Sequence, residues 1–424
     1  MNIVFYKYGS ICEPDLENAF MRCGLEVNLI DREVNDKRIT GRERVKLVSE
    51  AIDSENPIFV FSIDYFPDIA RICRIYSLRY VSYVVDSPLP ELFSDTIGFD
   101  TTKVFLFDRS QYETFHKYNP NGIFNLPLAT DPDRWSEVIQ RSGHNDMHDV
   151  SFVGSLYSEK NRYDGIRSKL SEKTRGYVQG LVNALMCLPG CSFTEEALSD
   201  EIVWEIKDAD PNGFVTDSMP KDICGSRDAR ERLLPESKDA VGQHDLEQQS
   251  IVNRIDRYIA SEQYIGFEEA VCERRKTLSI LSEWFDTALY TRSDTSDIRK
   301  AAPGLHIYDG VKTLTEMPLV FAGSRINMNI TVKPIKSGLS LRVFDICGCG
   351  GFLMTNYQAE LPEYFDIGTE AECYSSTEEL REKIAFYLSN EDARERIAAA
   401  GLVRVRSEHT WTQRVARIIK KVSE

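Results

Sequence analysis

The sequence has no surplus of positive charge. Lysine and arginine number 51 against 67 aspartates and glutamates, a formal net charge of −16. Sequence-independent binding to nucleic acid or to anionic lipid needs a basic footprint, so neither is expected of this chain. A local basic pocket stays open, because net charge describes the whole surface. Long apolar runs are also missing. None approaches the ~18 residues of a membrane span, and the opening MNIVFYKYGS lacks a signal peptide's apolar region. It reads as a first strand, and a cytoplasmic protein is expected. Paired C-x-x-C motifs are absent. The ten cysteines are scattered; Cys347 and Cys349 lie one residue apart, and Cys187 and Cys191 are too widely placed for a redox pair. Buried free thiols in a reducing compartment fit that pattern better than a disulfide framework. His144 and His148 sit four apart in RSGHNDMHD, but Gly143 and Asn145 oppose a helix and no third ligand is evident. A solvated linker is the expectation there. His306 and His409 read as satisfied structural residues. No internal repeat or low-complexity tract appears.

What is present alternates between strand and helix. At 424 residues the chain fits two domains with room for an insertion. Apolar runs at 2–8, 25–30, 58–63, 80–85, 103–107 and 123–128 are separated mostly by helix-compatible segments such as DLENAFMRCG. That spacing implies a parallel, doubly wound α/β sheet with right-handed crossovers. The polar stretch 141–149 looks like a linker. A second unit opens with VSFVGSLYSEKNR, whose strand runs into Gly154. An acidic, mostly helical region of roughly 160–285 follows, with a mobile loop expected near 205–245. Alternation resumes at 287–294 and 305–311 and continues through RINMNIT to AECYSS, before a charged helical tail. The expected division is 1–145, 149–405 with the helical insertion, and a final helix, 406–424, crossing back to the first domain.

Doubly wound sheets bind ligands beyond the carboxyl ends of their strands. Three strands of the first unit are followed at once by an aspartate: Asp64, Asp86 and Asp108. For Asp64 and Asp108 a helix cap is the expected role. Asp86, in VVDSPLP, is held by Pro88 and Pro90 in a stiff turn, and its carboxylate suits a general base toward an acceptor hydroxyl. In the second unit the informative stretch is SGLSLRVFDICGCGGFLMTN, from Ser337 to Asn356. Gly338 lets the loop turn, and the N–H groups of Leu339, Ser340 and Leu341 open a helix. With Arg342 they form an anion site, and Asp345, one turn on, is placed to hold a ribose diol. A plain helix-to-strand turn is the alternative. Arg292 and Lys333 are candidate phosphate partners, with solvated surface charge as their alternative. No strand-end D-x-D calls for a metal-bound diphosphate, so no metal and no cofactor are expected.

The order of segments resembles the two-Rossmann GT-B glycosyltransferases, whose retaining branch binds the donor nucleotide with two acids separated by seven residues. Ser337 falls at the first acid and Asp345 at the second. INMNIT, SGLSLRVFDICGCGGFLMTN, LPEYFDIGTEAECYSSTEELREKIAFYL and HTWTQRV, with VVDSP, FDRS, LPLATDP and SFVGSLY upstream, are similar to the spore-maturation-protein (CgeB-type) glycosyltransferase-like group. The resemblance implies two Rossmann-like domains facing across a cleft. It implies a nucleotide-sugar donor, Gly154 beside its diphosphate, Asn329 near the loop, and Gly310 and Val311 at the base. It leaves the acceptor open among surface glycan, glycolipid and protein. Ser337 in place of an acid leaves the stereochemistry open and keeps a noncatalytic binding protein as the rival; a nucleotide-sugar epimerase lacks a convincing acid–histidine set.

Overall fold

The computed structural model describes residues 1–142, 148–215 and 255–424. His144 and the part of the expected loop beyond residue 215 lie outside them. The first sheet holds β1 (Asn2–Tyr6), β2 (Glu26–Ile30), β3 (Phe59–Ile63), β4 (Arg79–Val84), β5 (Thr102–Leu106) and β6 (Ile123–Asn125). The second holds β7 (Val150–Val153), β8 (Thr287–Thr291), β9 (His306–Asp309), β10 (Ile326–Asn329), β11 (Leu353–Asn356) and β12 (Glu372–Tyr374). Every strand pairing is parallel. Central strands are covered on both faces, which is why FVFSI of β3 is buried at every residue and reads as a continuous apolar run.

The strand orders are β2-β1-β3-β4-β5-β6 and β12-β11-β10-β7-β8-β9. Chain direction across the sheet therefore reverses between β1 and β3 in the first sheet and between β7 and β10 in the second. At such a reversal the flanking loops splay apart and leave a crevice.

Among the described residues, the segment between β7 and β8 carries only helices, including Glu172–Met186, Asp200–Ala209 and Gly266–Trp284. Their apolar faces share one core with the first sheet. The Tyr258 ring packs tilted against Phe93, centroids 4.8 Å apart, and its hydroxyl accepts the Leu89 N–H (3.1 Å). The last helix, Trp411–Ser423, starts from a Thr410–Gln413 capping box and buries Trp411, Val415, Ile418 and Val422 on one face. It packs on the first-domain helix Glu13–Arg22, with the Trp411 and Tyr83 rings 6.0 Å apart. Arg414 clamps this junction through the carbonyls of Pro127 (2.7 Å) and Leu128, and donates to His409 Nδ1 (2.7 Å). A guanidinium cannot accept, so His409 keeps its proton on Nε2 for the Tyr364 carbonyl (3.3 Å). Burial and the Arg414 charge push its pKa down to about 4.

Candidate active site

The carboxyl ends of both sheets line one cavity of about 250 Å3. On the second-sheet side the lining is Gly154 and Ser155 just after β7, and Asn329, Ile330 and Thr331 at and after the end of β10. Between them stands Arg274, from the Gly266–Trp284 helix. Its Nη1 donates to the Ser155 carbonyl and its Nη2 to the Ile330 carbonyl (2.6 Å), so the guanidinium spans the crevice between β7 and β10. Phe152 and Tyr157 pack against it, with ring centroids 5.2 and 4.5 Å from the guanidinium carbon. Its Nε is buried without a partner among the described residues. A fixed, buried cation with a donor to spare is suited to an anion.

Ser340, Leu341 and Arg342 also line the cavity, where the Leu341–Gly348 helix begins. Asn329 sets that helix start: its Oδ1 accepts from Ser340 Oγ (3.0 Å), while its Nδ2 donates to Thr331 and Thr355. The helix ends at Gly350, whose φ of +75° suits glycine, and the Gly351 N–H returns to the Ile346 carbonyl (3.0 Å).

On the first-sheet side the wall is Ser10, Ile11 and Cys12 after β1, and Val85, Asp86 and Ser87 after β4. Asp86 opens to the cleft. Protein packed around it raises its pKa, a shift that Lys160 partly offsets. Beneath it lies Asp64, in a left-handed turn with φ +53°. Asp64 Oδ1 accepts the N–H groups of Val85 (2.9 Å) and Asp86 (3.2 Å), and Oδ2 accepts the Tyr8 hydroxyl. Burial and the Asp86 charge raise its pKa. This corrects the expected cap: the next helix starts at Pro67 with Phe66 at its N-cap, and the Asp64 turn aims the carboxylate under the end of β4 instead.

Asp108 does cap the Arg109–Phe115 helix, through the Ser110 N–H (2.8 Å), but it also reaches across the cleft. Its Oδ2 accepts the Lys336 N–H (2.6 Å), and its Oδ1 lies 2.9 Å from Ser337 Oγ. The Ser337 hydroxyl is also 2.7 Å from Glu360 Oε1, and it accepts the Ser110 N–H (3.1 Å). One hydroxyl proton faces two carboxylates, and burial raises the Glu360 pKa. A Cβ on Gly338 would stand 2.8 Å from Asp108 Cα, so glycine here permits contact between the domains.

Ser337 and Gly338 therefore lie at a seam between domains, outside the cavity lining, because their partners are Asp108, Phe107 and Glu360, and Leu339 is buried in the core beside them. Asp345 lies outside the lining as well. It is 3 % exposed, with Oδ1 held by Thr130 Oγ1 (2.7 Å) and Oδ2 by Arg342 Nη1 (2.6 Å). Burial raises its pKa against those two partners. Val311 follows edge strand β9 and packs on the core beyond the lining, while Gly310 abuts Arg292, which is exposed. Lys333 is not a surface charge: it is 5 % exposed, and its Nζ donates to the Leu188 carbonyl (2.9 Å).

Sequence reasoning placed Gly154, Asn329, Ser340, Arg342 and Asp86 in the region that lines the cavity, and missed Arg274, Glu360 and Thr130. For Arg274 a signal existed. It sits on the buried stripe Ala270–Arg274–Leu278, a charged residue where the helical period asks for an apolar one.

The fold is GT-B: two Rossmann-like α/β domains whose carboxyl edges face each other. Residues 288–420, most of the second sheet and the closing helices, match the family model described as glycosyl transferase-like. No curated protein matches the chain in sequence. Solved structures share the fold over the full length at low identity. A glycosyltransferase from Rickettsia africae has a TM-score of 0.53 at 9% identity, covering 100% of this chain and 97% of that one. Anabaena HepE, in complex with UDP-glucose, has 0.51 at 10%, covering 100% and 99%. Sucrose-phosphate synthase from Thermosynechococcus elongatus has 0.51 at 9%, covering 100% and 99%.

Proposed function

We propose that this protein is a cytoplasmic glycosyltransferase of the spore-maturation-protein (CgeB-type) group. It moves a sugar, a hexose in the simplest case, from a nucleotide-diphosphate donor to a glycan, glycolipid or protein acceptor without a metal. The observation that carries this reading is the opposition across one cavity of Arg274 and Arg342 on the second sheet and Asp86 on the first. Two arginines and a helix N-terminus supply the charge that a leaving diphosphate needs. The glycosyl transferase-like match at 288–420 supports the same assignment, as does the UDP-glucose held by HepE.

If transfer inverts the anomeric centre, the acceptor O–H gives its proton to Asp86 and the acceptor oxygen bonds to the anomeric carbon. The bond to the diphosphate breaks, and its electron pair leaves with the phosphate oxygen toward Arg274 and Arg342. If transfer retains configuration, the absence of an acid at Ser337 shifts the work to the phosphate and backbone contacts. Residues around Val311 hold the base, and Asp345 acts on the donor through Arg342.

A noncatalytic binding role is the second reading. It is favoured by the structural hydrogen bonds that already occupy Ser337 and Asp345. Calorimetry against UDP, GDP, dTDP and CDP, with Arg274→Ala as control, tests the donor site. Selective binding lost in the variant supports it; no binding of any of the four sinks it. Slow hydrolysis of the matching nucleotide sugar separates the enzyme from the binding protein.

A further inference from the structure

At the opposite end of the second sheet from the cavity, three adjacent parallel strands begin side by side. His148 stands two residues before β7, Asp286 one residue before β8, and His306 is the first residue of β9. Strand pairing aligns Val150 with Thr287 and Ala288 with His306, which gathers the three side chains from positions far apart in sequence. His148 Nδ1 lies 3.1 and 3.0 Å from the two Asp286 oxygens, and His306 Nε2 lies 3.2 Å from Asp286 Oδ1. One ligand atom from each residue falls within 4.8 Å of the others.

We infer that His148, Asp286 and His306 form a binding site for a divalent transition-metal ion, with Zn2+ the ion their ligand set fits. Two imidazole nitrogens and a carboxylate oxygen are a zinc ligand set, with a fourth position left for water. Ligands about 2.0–2.1 Å from a tetrahedral zinc stand roughly 3.3 Å from one another, close to the 3.0 to 3.2 Å between Asp286 and the two imidazoles. The outer contacts agree. His148 Nε2 is 3.0 Å from the Tyr308 hydroxyl. The Nδ1 contact to Asp286 is a hydrogen bond that an incoming ion replaces, and with Nε2 donating to Tyr308 the Nδ1 lone pair is then the one left for the metal. The rings of His148 and His306 stack with centroids 5.2 Å apart, so both are held in place. Arg325, whose N–H holds the His148 carbonyl, has its charge paired with Asp149 (3.1 Å), leaving the Asp286 charge for a cation.

The strands put this site roughly 15 Å from their carboxyl ends. The ion therefore takes no part in sugar transfer; it ties the start of the second domain to β8 and β9. The chelator-stripped full chain, carrying Cys187→Ser, Cys191→Ser and Cys224→Ser to remove the two thiols exposed among the described residues and the one outside them, is titrated with ZnCl2 by calorimetry and with Co2+ by absorption. The expected result is one ion per chain, nitrogen–oxygen d–d bands without thiolate charge transfer, and at least tenfold weaker binding in His306→Ala and in Asp286→Asn. Nucleotide binding stays unchanged in both variants. Absence of Zn2+ binding, or binding equally tight in both variants, overturns the assignment. His306 and Asp286 are about half exposed, so loss of the fold does not confuse the outcome.

Discussion

The two strand-order reversals occupy equivalent places in the two sheets and carry opposite chemistry. At β1/β3 the groups are acids and a phenol: buried Asp64 beneath Asp86, with Tyr8 donating to Asp64. At β7/β10 the buried charge that lines the cavity is a cation, Arg274, held by two strand-end carbonyls, with Glu269 and Glu273 buried behind it. A parallel α/β sheet supplies a crevice and splayed N–H and C=O groups wherever its strand order reverses, but no charge. Charge comes from the side chain that the neighbouring element inserts. In the proposed function this contrast becomes a division of labour, with the acidic crevice taking a proton and the basic one taking the diphosphate.

The largest effect follows from removing the acid. Asp86→Asn is expected to lower kcat about 10²–10⁴-fold with donor affinity retained, the usual range for a lost general base. Calorimetry and turnover on the same preparation check it. Unchanged turnover removes Asp86 from the mechanism and leaves the basic crevice without a counterpart. Removing the cation gives the mirror image. Arg274→Ala is expected to weaken nucleoside diphosphate binding roughly thirty- to hundredfold, about 2–3 kcal/mol for charge-assisted hydrogen bonds to an anion. Arg274→Lys does not restore it, because an ammonium cannot span the Ser155 and Ile330 carbonyls as a planar fork does. Equal loss of an uncharged nucleoside in Arg274→Ala would instead show a general collapse of the crevice.

The sheets were legible because their periods are local. FVFSI, VSFV and INMN are short apolar runs closed by turn residues, and each is a strand. Glycine at the end of β7 and Asp86 at the end of β4 followed from the same logic. What stayed hidden depends on partners far along the chain. Ser337 meets Ser110 across 227 residues, and Asp345 meets Thr130 across 215. Local reading aimed Gly338 and Asp345 at a ligand; contact with the first domain claims both. Arg274 was hidden for a different reason. It lies in a helix of the long segment after β7, whose general acidity concealed one cation on a buried stripe.

That seam sets how the two crevices face each other, and Gly338 tests it. Gly338→Ala places a methyl group against the Asp108 backbone, and overpacking there is expected to cost about 2 kcal/mol. If the domains separate to accommodate it, turnover falls while the affinity of Arg274 for diphosphate survives. Thermal unfolding and donor calorimetry on one variant distinguish that outcome from general destabilisation, which lowers both. A fully neutral substitution would mean that the seam does not fix the spacing.

The smallest effect is the most specific to the acidic crevice. Desolvation by the protein packed around the cleft holds the Asp86 carboxyl above the ~3.9 of a free aspartate, so the base form is lost at a higher pH than usual. Turnover should be at its plateau above that pKa and fall tenfold for each pH unit below it. Burial and the Asp86 charge raise Asp64 to about 7, which favours its neutral form, and Asp64→Asn keeps a neutral group whose amide oxygen still accepts the Val85 and Asp86 N–H groups. Desolvation and Lys160 set the Asp86 shift, so the acid limb of kcat is expected to stay in place with the plateau nearly unchanged. A limb that stays in place separates the two carboxylates. A limb that moves to lower pH means that the Asp64 charge is felt at Asp86 and that desolvation alone does not set the base. The same substitution leaves diphosphate affinity at β7/β10 untouched, since Arg274 draws its hold from the Ser155 and Ile330 carbonyls on the other sheet.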